Sequence, residues 1–398
     1  MLFRYSAADN GTLEKKAHIY TQEEHGIDPS LLDPDAVWIV RRLRQAGFHA
    51  YIVGGAVRDL LVGRVPKDFD VATDAHPQQI RRLFRSARLI GRRFRLVHVY
   101  SSREKYVEVS TFRSRGALGT MDHADAPELN NQYGTIEEDA ERRDFTINAL
   151  YYCPVDRQVI DYVGGFVDIR HRRLRTLIPA EASFAEDPVR MIRALKYASL
   201  LGFPIPHPMT ALIRRVRESL LTCSRERVTE EVFKILTSGN ARAIFELAIH
   251  LRLFETMFPA LAERLRTSRQ RFVDSPFCGR ITALDERTSD GQPLDRNEMF
   301  EFLFRECVEE RRDLLEGEDP HLLVQQFLRD VSAPLFPSKK DLMTAADMLV
   351  GAPRPRRRPA ASAAGHAERS RGPGDRPRRR RRRGGRRRGG KGTAAPPA

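Results

Sequence analysis

Apolar positions change their spacing about halfway along the chain. In residues 35–47 (DAVWIVRRLRQAG), Val37, Ile39, Val40 and Leu43 supply the apolar side of a helix. Asp35 stands where an N-cap belongs, and Gly47 is a stop signal. HAYIV (49–53) then reads as a strand, Gly54-Gly55 as a turn and AVRDLLVG as a short helix. DFDVAT predicts a strand, QQIRRLFR a helix, and RLI, RLVHVY and YVEVST three further strands. In the last of these Val107 and Val109 alternate with Glu108 and Ser110, the period of a half-buried strand. Mixed elements up to about residue 175 predict an α/β head built on one sheet.

Beyond Pro179 the period becomes helical. Segments 187–202, 208–220, 226–237, 240–252 and 254–266 carry it, with no convincing strand, and a last helical region spans about 297–350. Residues 268–296 read as irregular, and residues 1–33 as a polar, poorly periodic extension. The expected fold class is α+β. It comprises an extension (1–33), a mixed-sheet head (34–178), a helical neck (179–266), a helical body (267–350) and a disordered arginine-rich tail (351–398).

Composition sharpens this plan mainly through charge. Among 398 residues, 41% are hydrophobic and 30% charged, which suits a globular chain. No run approaches the ~18 apolar residues of a membrane span. The N-terminus turns polar at once and lacks a secretory apolar run. The four cysteines have neither disulfide-framework nor zinc spacing, so reduced thiols in a cytoplasmic protein are expected.

The net charge of +15 is concentrated. Residues 351–398 hold 17 of the 68 Lys+Arg and 2 of the 53 Asp+Glu, which leaves 51 of each in residues 1–350. The tail, with RPRRRP and RPRRRRRRGGRRRGGKG, has no aromatic residue and cannot bury a core. It reads as a polyanion-binding arm whose grip on RNA is electrostatic and salt-sensitive.

Five segments carry candidate chemistry. In VGGAVRD (53–59), Gly54 and Gly55 let a backbone approach a ligand closely, and Arg58 in the first helical turn reaches the same anion. In KDFDVAT, Asp68 and Asp70 at i and i+2 of a strand share a face. Two like charges there ask for a cation, and Mg²⁺ favours such hard oxygen ligands. Glu108 in YVEVSTFR becomes a third carboxylate if its strand neighbours the D-x-D strand; otherwise it is a solvent-facing residue of an edge strand. Arg113, just beyond that strand, is expected to face triphosphate.

In ERRDFTINALYY (141–152), Arg142 and Arg143 offer forked donors for phosphate. Asp144 orients an arginine or helps hold a metal, and Asn148 offers an amide to a sugar hydroxyl or phosphate. In AEDPVRMIRALKYASLLGF (185–203), Asp187 reads as an N-cap and Pro188 as the first helical residue. Asp187, Arg190 and Arg193 are spaced by three along one helix face. A carboxylate beside a guanidinium presents acceptors and donors suited to a base edge. Each segment taken alone also fits an ordinary turn, cap or surface ion pair.

Together and in this order the five segments resemble the class II RNA nucleotidyltransferases, the family of tRNA CCA-adding enzymes and bacterial poly(A) polymerases. The likeness covers roughly residues 48–265. It implies that Asp68 and Asp70 bind metal, that Gly54, Gly55 and Arg58 hold triphosphate, and that Asp187 and Arg190 recognise the incoming base. Asp144 matches an active-site aspartate of the family's R-R-D-F-T motif. RLIGRRFRLVHVYSS, from Arg88, is similar to the G-R-R-F-x-L-x-H-V segment of the poly(A) polymerases. The resemblance therefore implies template-independent addition of AMP from ATP to RNA 3′ ends, with CCA addition from CTP and ATP as the nearest rival. A catalytically silent RNA-binding protein is the rival of another class.

On this reading Asp68 and Asp70 bridge two metals, Mg²⁺ with Mn²⁺ as the alternative, and Glu108 ligates the one that activates the hydroxyl. Arg58, Arg113 and Arg143 contact phosphates. Residues 114–133 are expected to be a mobile loop that closes over substrate.

Overall fold

The computed structural model describes residues 2–7, 13–91, 95–103, 105–114, 132–265 and 269–351. The expectations for the closing loop and for the arginine-rich tail fall on 115–131 and 352–398, outside the described residues. So does the Arg92–Phe94 part of the poly(A) polymerase-like segment.

Period-two segments assemble into one mixed sheet of nine strands. They are β1 (Leu2–Ala7), β2 (Leu13–Tyr20), β3 (Ala50–Val53), β4 (Asp70–Thr73), β5 (Ala87–Ile90), β6 (Leu96–Tyr100), β7 (Tyr106–Thr111), β8 (Leu150–Cys153) and β9 (Gln158–Asp161). The order across the sheet is β1-β2-β9-β8-β3-β4-β7-β6-β5. Every neighbouring pair is antiparallel except β4 with β7, which run parallel with Val71 beside Val109 and Ala72 beside Ser110.

Alternation decides the two faces. Val71, Val97, Val99, Val107 and Val109 are buried in one core with Ile39, Val40 and Leu43 of the Pro34–Gln45 helix and Ile80 of the Pro77–Leu83 helix. The opposite face carries Asp70, Glu108, His98, Tyr100 and Tyr106, beside a smaller cluster of Tyr51, Val53, Ala72, Phe112, Ala140 and Tyr151. A one-residue slip would expose the valines, each worth roughly 1.5–3 kcal/mol when buried, so the register is firmly fixed.

Beyond Pro179 every described element is helical. The principal ones are Ala180–Glu186, Val189–Leu201, His207–Val216, Arg225–Leu236, Ala241–His250, Pro276–Ser289, Met299–Glu309, Pro320–Val331 and Lys339–Val350. Head and helices belong to one compact unit, Met1–Pro353. No helix among the described residues is long and apolar enough to cross a membrane.

Four expectations are corrected. The first helix is capped by Asp33, not Asp35. The Asp33 carboxylate accepts from the amides of Asp35 (2.7 Å) and Ala36 (3.1 Å), and Pro34 takes the first helical position. The supposed extension contributes β2, which pairs with β9 and buries Ala17 and Tyr20, covering what would be an open edge.

Residues 268–296 are not irregular: Pro276–Ser289 is a 14-residue helix. The Ser275 hydroxyl accepts from the Cys278 amide, Pro276 starts the helix, and Phe277, Cys278, Ile281 and Leu284 are buried. Its polar final turn masked the apolar stripe. Lastly, Asp187 does not cap the Val189–Leu201 helix: Pro188 holds the N-cap position, and the Asp187 Oδ2 accepts from Arg227.

Candidate active site

The acidic candidates meet on the open face of the sheet. Asp70 begins β4 and Glu108 lies on β7, one step before the Val71–Val109 pair, so both point to the same side. Across β6, His98 is the cross-strand partner of Glu108, with Nε2 at 3.6 Å from its carboxylate. Asp70 is open to solvent on one side. Surrounding protein, then the charges of Glu108 and Asp68, push its carboxyl up to about 6. Burial, together with Asp68, also raises Glu108, against the pull of Arg113 and Lys234.

The three carboxylates are thus within electrostatic reach of one another but are not drawn together. Among the described residues no three His, Cys, Asp or Glu side chains are gathered tightly enough to hold a metal ion. Asp68 lies on the exposed approach to β4, which starts only at Asp70, so the strand rule for i and i+2 does not act on it.

A guanidinium cluster adjoins this face. β7 continues into Arg113, which pairs with Tyr133, and the Ile136–Glu141 helix ends at Arg142 and Arg143. Asp139, which sequence reading passed over, organises all three. Its carboxylate accepts from the Arg113 amide (3.3 Å), from Arg143 Nη2 (2.9 Å) and from the Tyr151 hydroxyl (2.8 Å), with Arg142 Nη1 at 3.6 Å. The signal was present as an i, i+3, i+4 pattern, Asp139 to Arg142 and Arg143. Burial and the neighbouring charges of Arg113 and Arg143 lower Arg142 to about 10. Such a site favours an arriving anion.

Gly54 lies against the same cluster. Its φ of +69° is a conformation L side chains avoid, and a Cβ there would stand 3.2 Å from the Arg143 guanidinium. Gly55 follows at the start of the Gly55–Leu61 helix. Arg58 is buried and its donors are directed at protein. Nε donates to Asp59, Nη1 to the Asn148 side chain (2.7 Å), and the guanidinium lies over the Tyr197 ring at 4.9 Å.

Asn148 passes the link on by donating to Asp144 (3.1 Å). Asp144 also accepts from the Phe145 amide (2.8 Å), and it faces Arg193 Nη2 at 2.8 Å, an ion pair without hydrogen-bond geometry. Burial would lower Arg193, but Asp144, Tyr197 and Glu231 hold it raised. Arg58, Asn148, Asp144 and Arg193 therefore clasp head to neck.

Arg193 is thus paired with Asp144 and Tyr197, while Asp187 and Arg190 find other partners. Arg190 is buried, donating to the Ser183 hydroxyl (3.0 Å) and to Glu186 (2.6 Å), and it stands 4.0 Å from Asp187. Asp187 Oδ2 accepts from Arg227 (2.6 Å), while its buried Oδ1 has no hydrogen-bond partner. Lys234 of the Arg225–Leu236 helix, with no signal in the sequence, supplies the neck's positive charge toward Asp70 and Glu108.

Comparison with known proteins adds a family context. Residues 50–175 match the model described as "Poly A polymerase head domain", and residues 202–265 match "Probable RNA and SrmB- binding site of polymerase A". Poly(A) polymerase I of Haemophilus influenzae is 37% identical over 306 residues, 73% of this chain and 66% of that protein. Poly(A) polymerase I of Escherichia coli is 40% identical over 263 residues, 64% of this chain and 56% of that protein. The chain thus spans somewhat more than half the length of these curated relatives. Among solved structures, the Bacillus stearothermophilus CCA-adding enzyme in complex with CTP superposes with a TM-score of 0.53 at 27% identity, covering 81% of this chain and 80% of that one.

Proposed function

The chain belongs to the class II RNA nucleotidyltransferase family of poly(A) polymerases and CCA-adding enzymes, and from that membership we propose that it adds AMP units from ATP to RNA 3′ ends without a template. One observation carries the reading. A face of mutually repelling carboxylates, with Asp70 raised to about 6, borders a guanidinium cluster in which Arg142 is lowered to about 10. Cations and a polyphosphate together would relieve both.

Asp70, Glu108 and Asp68 suit a divalent cation by donor chemistry: hard oxygens within electrostatic reach of one another, with Asp68 and Asp70 exposed. Mg²⁺ or Mn²⁺ held there would supply activation of the RNA 3′-hydroxyl and charge for the triphosphate. The protein's own residues do the rest. Arg113, Arg142 and Arg143 face phosphate oxygens, with Asp139 fixing their positions. Gly54 and Gly55 let the backbone come close to the nucleotide. Arg58 and Asn148 hold that turn against the neck, and Asp144 anchors Arg193.

Asp187 Oδ1, buried and without a partner, is an acceptor for a base amino group, with Arg190 and Arg227 beside it. The RNA hydroxyl attacks the α-phosphorus in line and pyrophosphate leaves. The helices of residues 202–265 and the arginine-rich tail take the RNA, in a cytoplasmic setting.

Choice of ATP over a CCA programme is supported by the poly(A) polymerases matched at 37% and 40% identity and by the RLIGRRFRLVHV segment. The match to a CCA-adding enzyme keeps a second reading in play. Offering each NTP singly, with unstructured RNA and with tRNA lacking its terminus, decides it. Long A tails on both substrates are the expected result. Three-nucleotide addition confined to the tRNA would give the reaction to the rival, and no incorporation with either metal would leave only RNA binding.

A further inference from the structure

On the open sheet face, the row that starts at Asp70 does not stop at Glu108. Register carries it across the next two strands, from Glu108 to His98 on β6 and from His98 to Arg88 on β5. The adjacent row pairs Tyr106 with Tyr100. The rings form a ladder. His98 and Tyr106 are stacked at 4.0 Å with planes 9° apart, Tyr106 lies 5.5 Å from Tyr100, and the Arg88 guanidinium lies 5.0 Å over Tyr100. Tyr106 is 47% exposed, so a large ring is left in water yet held parallel to its neighbour.

The ladder runs out into an open pocket of about 460 Å³ lined by Arg85, Arg88, Tyr100 and Arg103 among others, none of them acidic. The three arginines are exposed, and among the described residues none of them makes an ion pair. Unpaired guanidiniums beside stacked rings are what a flexible polyanion with base faces binds.

We propose that this strip is a track for the single-stranded 3′ segment of the RNA being extended. His98, Tyr106 and Tyr100 are stacking platforms, and Arg85, Arg88 and Arg103 are phosphate contacts. The proposal rests on the nucleotidyl-transfer reading, because it takes Glu108 as the point where the 3′ end arrives.

Direction along β7 supports it. Tyr106 lies on one side of Glu108 and Arg113 on the other, so RNA and nucleoside triphosphate approach the carboxylates from opposite ends. From Glu108 to Arg88 is two strand spacings, roughly 10 Å, about the length of three stacked nucleotides. Stacking tolerates any base and so suits a primer of varied sequence.

The test separates binding from chemistry. Short fluorescent oligo(A) is titrated onto the full chain without NTP or divalent cation, and primer extension is run in parallel. Tyr106→Ala should weaken oligo(A) binding by roughly tenfold, and Tyr106→Phe should restore most of it. Arg88→Ala with Arg103→Ala should flatten the slope of log affinity against log salt by about 1.4. In extension assays Tyr106→Ala should raise KM for primer several times more than KM for ATP.

Unchanged oligo(A) affinity in a folded Tyr106→Ala protein would overturn the track, as would an equal loss for blunt duplex RNA or for ATP. Should Tyr106→Ala fail to fold, the salt slope of the exposed arginine pair decides alone. If the wild type incorporates no AMP while these affinities shift as stated, the track stands and the reaction assigned above falls.

Discussion

Two aspartates of the head, Asp70 and Asp144, sit in opposite electrostatic circumstances. Asp144 is buried and partnered: an amide and Asn148 donate to its Oδ1, Arg193 forms an ion pair with its Oδ2, and the chain of contacts runs on to Arg58 and Tyr197. Asp70 faces solvent beside Glu108 and Asp68, and its carboxyl is pushed up to about 6. The clasp has spent its charge on holding neck to head. The open face keeps its charge unspent, as a surface meant for another molecule would. The same residue type thus marks architecture in one place and chemistry in the other, and the difference lies in whether partners are already supplied.

The contrast can be broken most directly at its two ends. Asp70→Ala should lower nucleotide addition by at least ~10²-fold while the melting temperature stays level or rises, since a repelling charge is removed. Primer extension and thermal melts on one sample check both halves. Asp144→Ala should do the reverse first. It leaves half-buried Arg193 without its nearest counter-charge and the Phe145 amide and Asn148 without their acceptor, and should lower the unfolding free energy by about 1–3 kcal/mol, read from denaturant titration. A stable Asp144→Ala protein that has lost only activity would move Asp144 to the chemical side of the comparison.

Smaller effects sharpen it. Arg142→Gln should raise KM for ATP roughly tenfold by removing one charge-assisted donor, with little change in KM for RNA. In the neck, burial would raise Glu231, but Lys196 at 2.6 Å and then Arg193 hold it at about 2. A depressed acid contributes fully above its ordinary value near 4.5, and the contribution is lost as pH falls from there toward 2. Melting temperature should therefore drop across that window, and Glu231→Gln should remove that part of the drop. Deleting residues 352–398 should flatten the salt dependence of RNA binding and spare addition on saturating primer, the least of these effects.

Much of the candidate site was legible because it rests on local rules. Alternation in YVEVST put Glu108 opposite the core valines, and Gly54-Gly55 announced the turn. The missed parts depended on partners distant in sequence. Residues 13–20 looked like a polar extension until β9 supplied an edge, and the Ser275 cap with its stripe from Phe277 to Leu284 was hidden by the polar turn that follows. Asp139 offered only a helix-spaced pattern common on any surface, and Lys234 offered none.

By itself the sequence determined which residues could do chemistry: order and spacing of the five motifs, the period of each strand, and the charge of the tail. Only the tertiary structure decided which of them are still available to do it. Arg58 and Arg193, indistinguishable from Arg113 on paper, are engaged by Asn148, Asp144 and Tyr197, because taking a guanidinium partly or wholly out of water demands partners that only packing can bring. The parallel β4–β7 pair, fixed by its valines, sets Asp70 beside Glu108 and leaves both unpartnered by any guanidinium of that clasp.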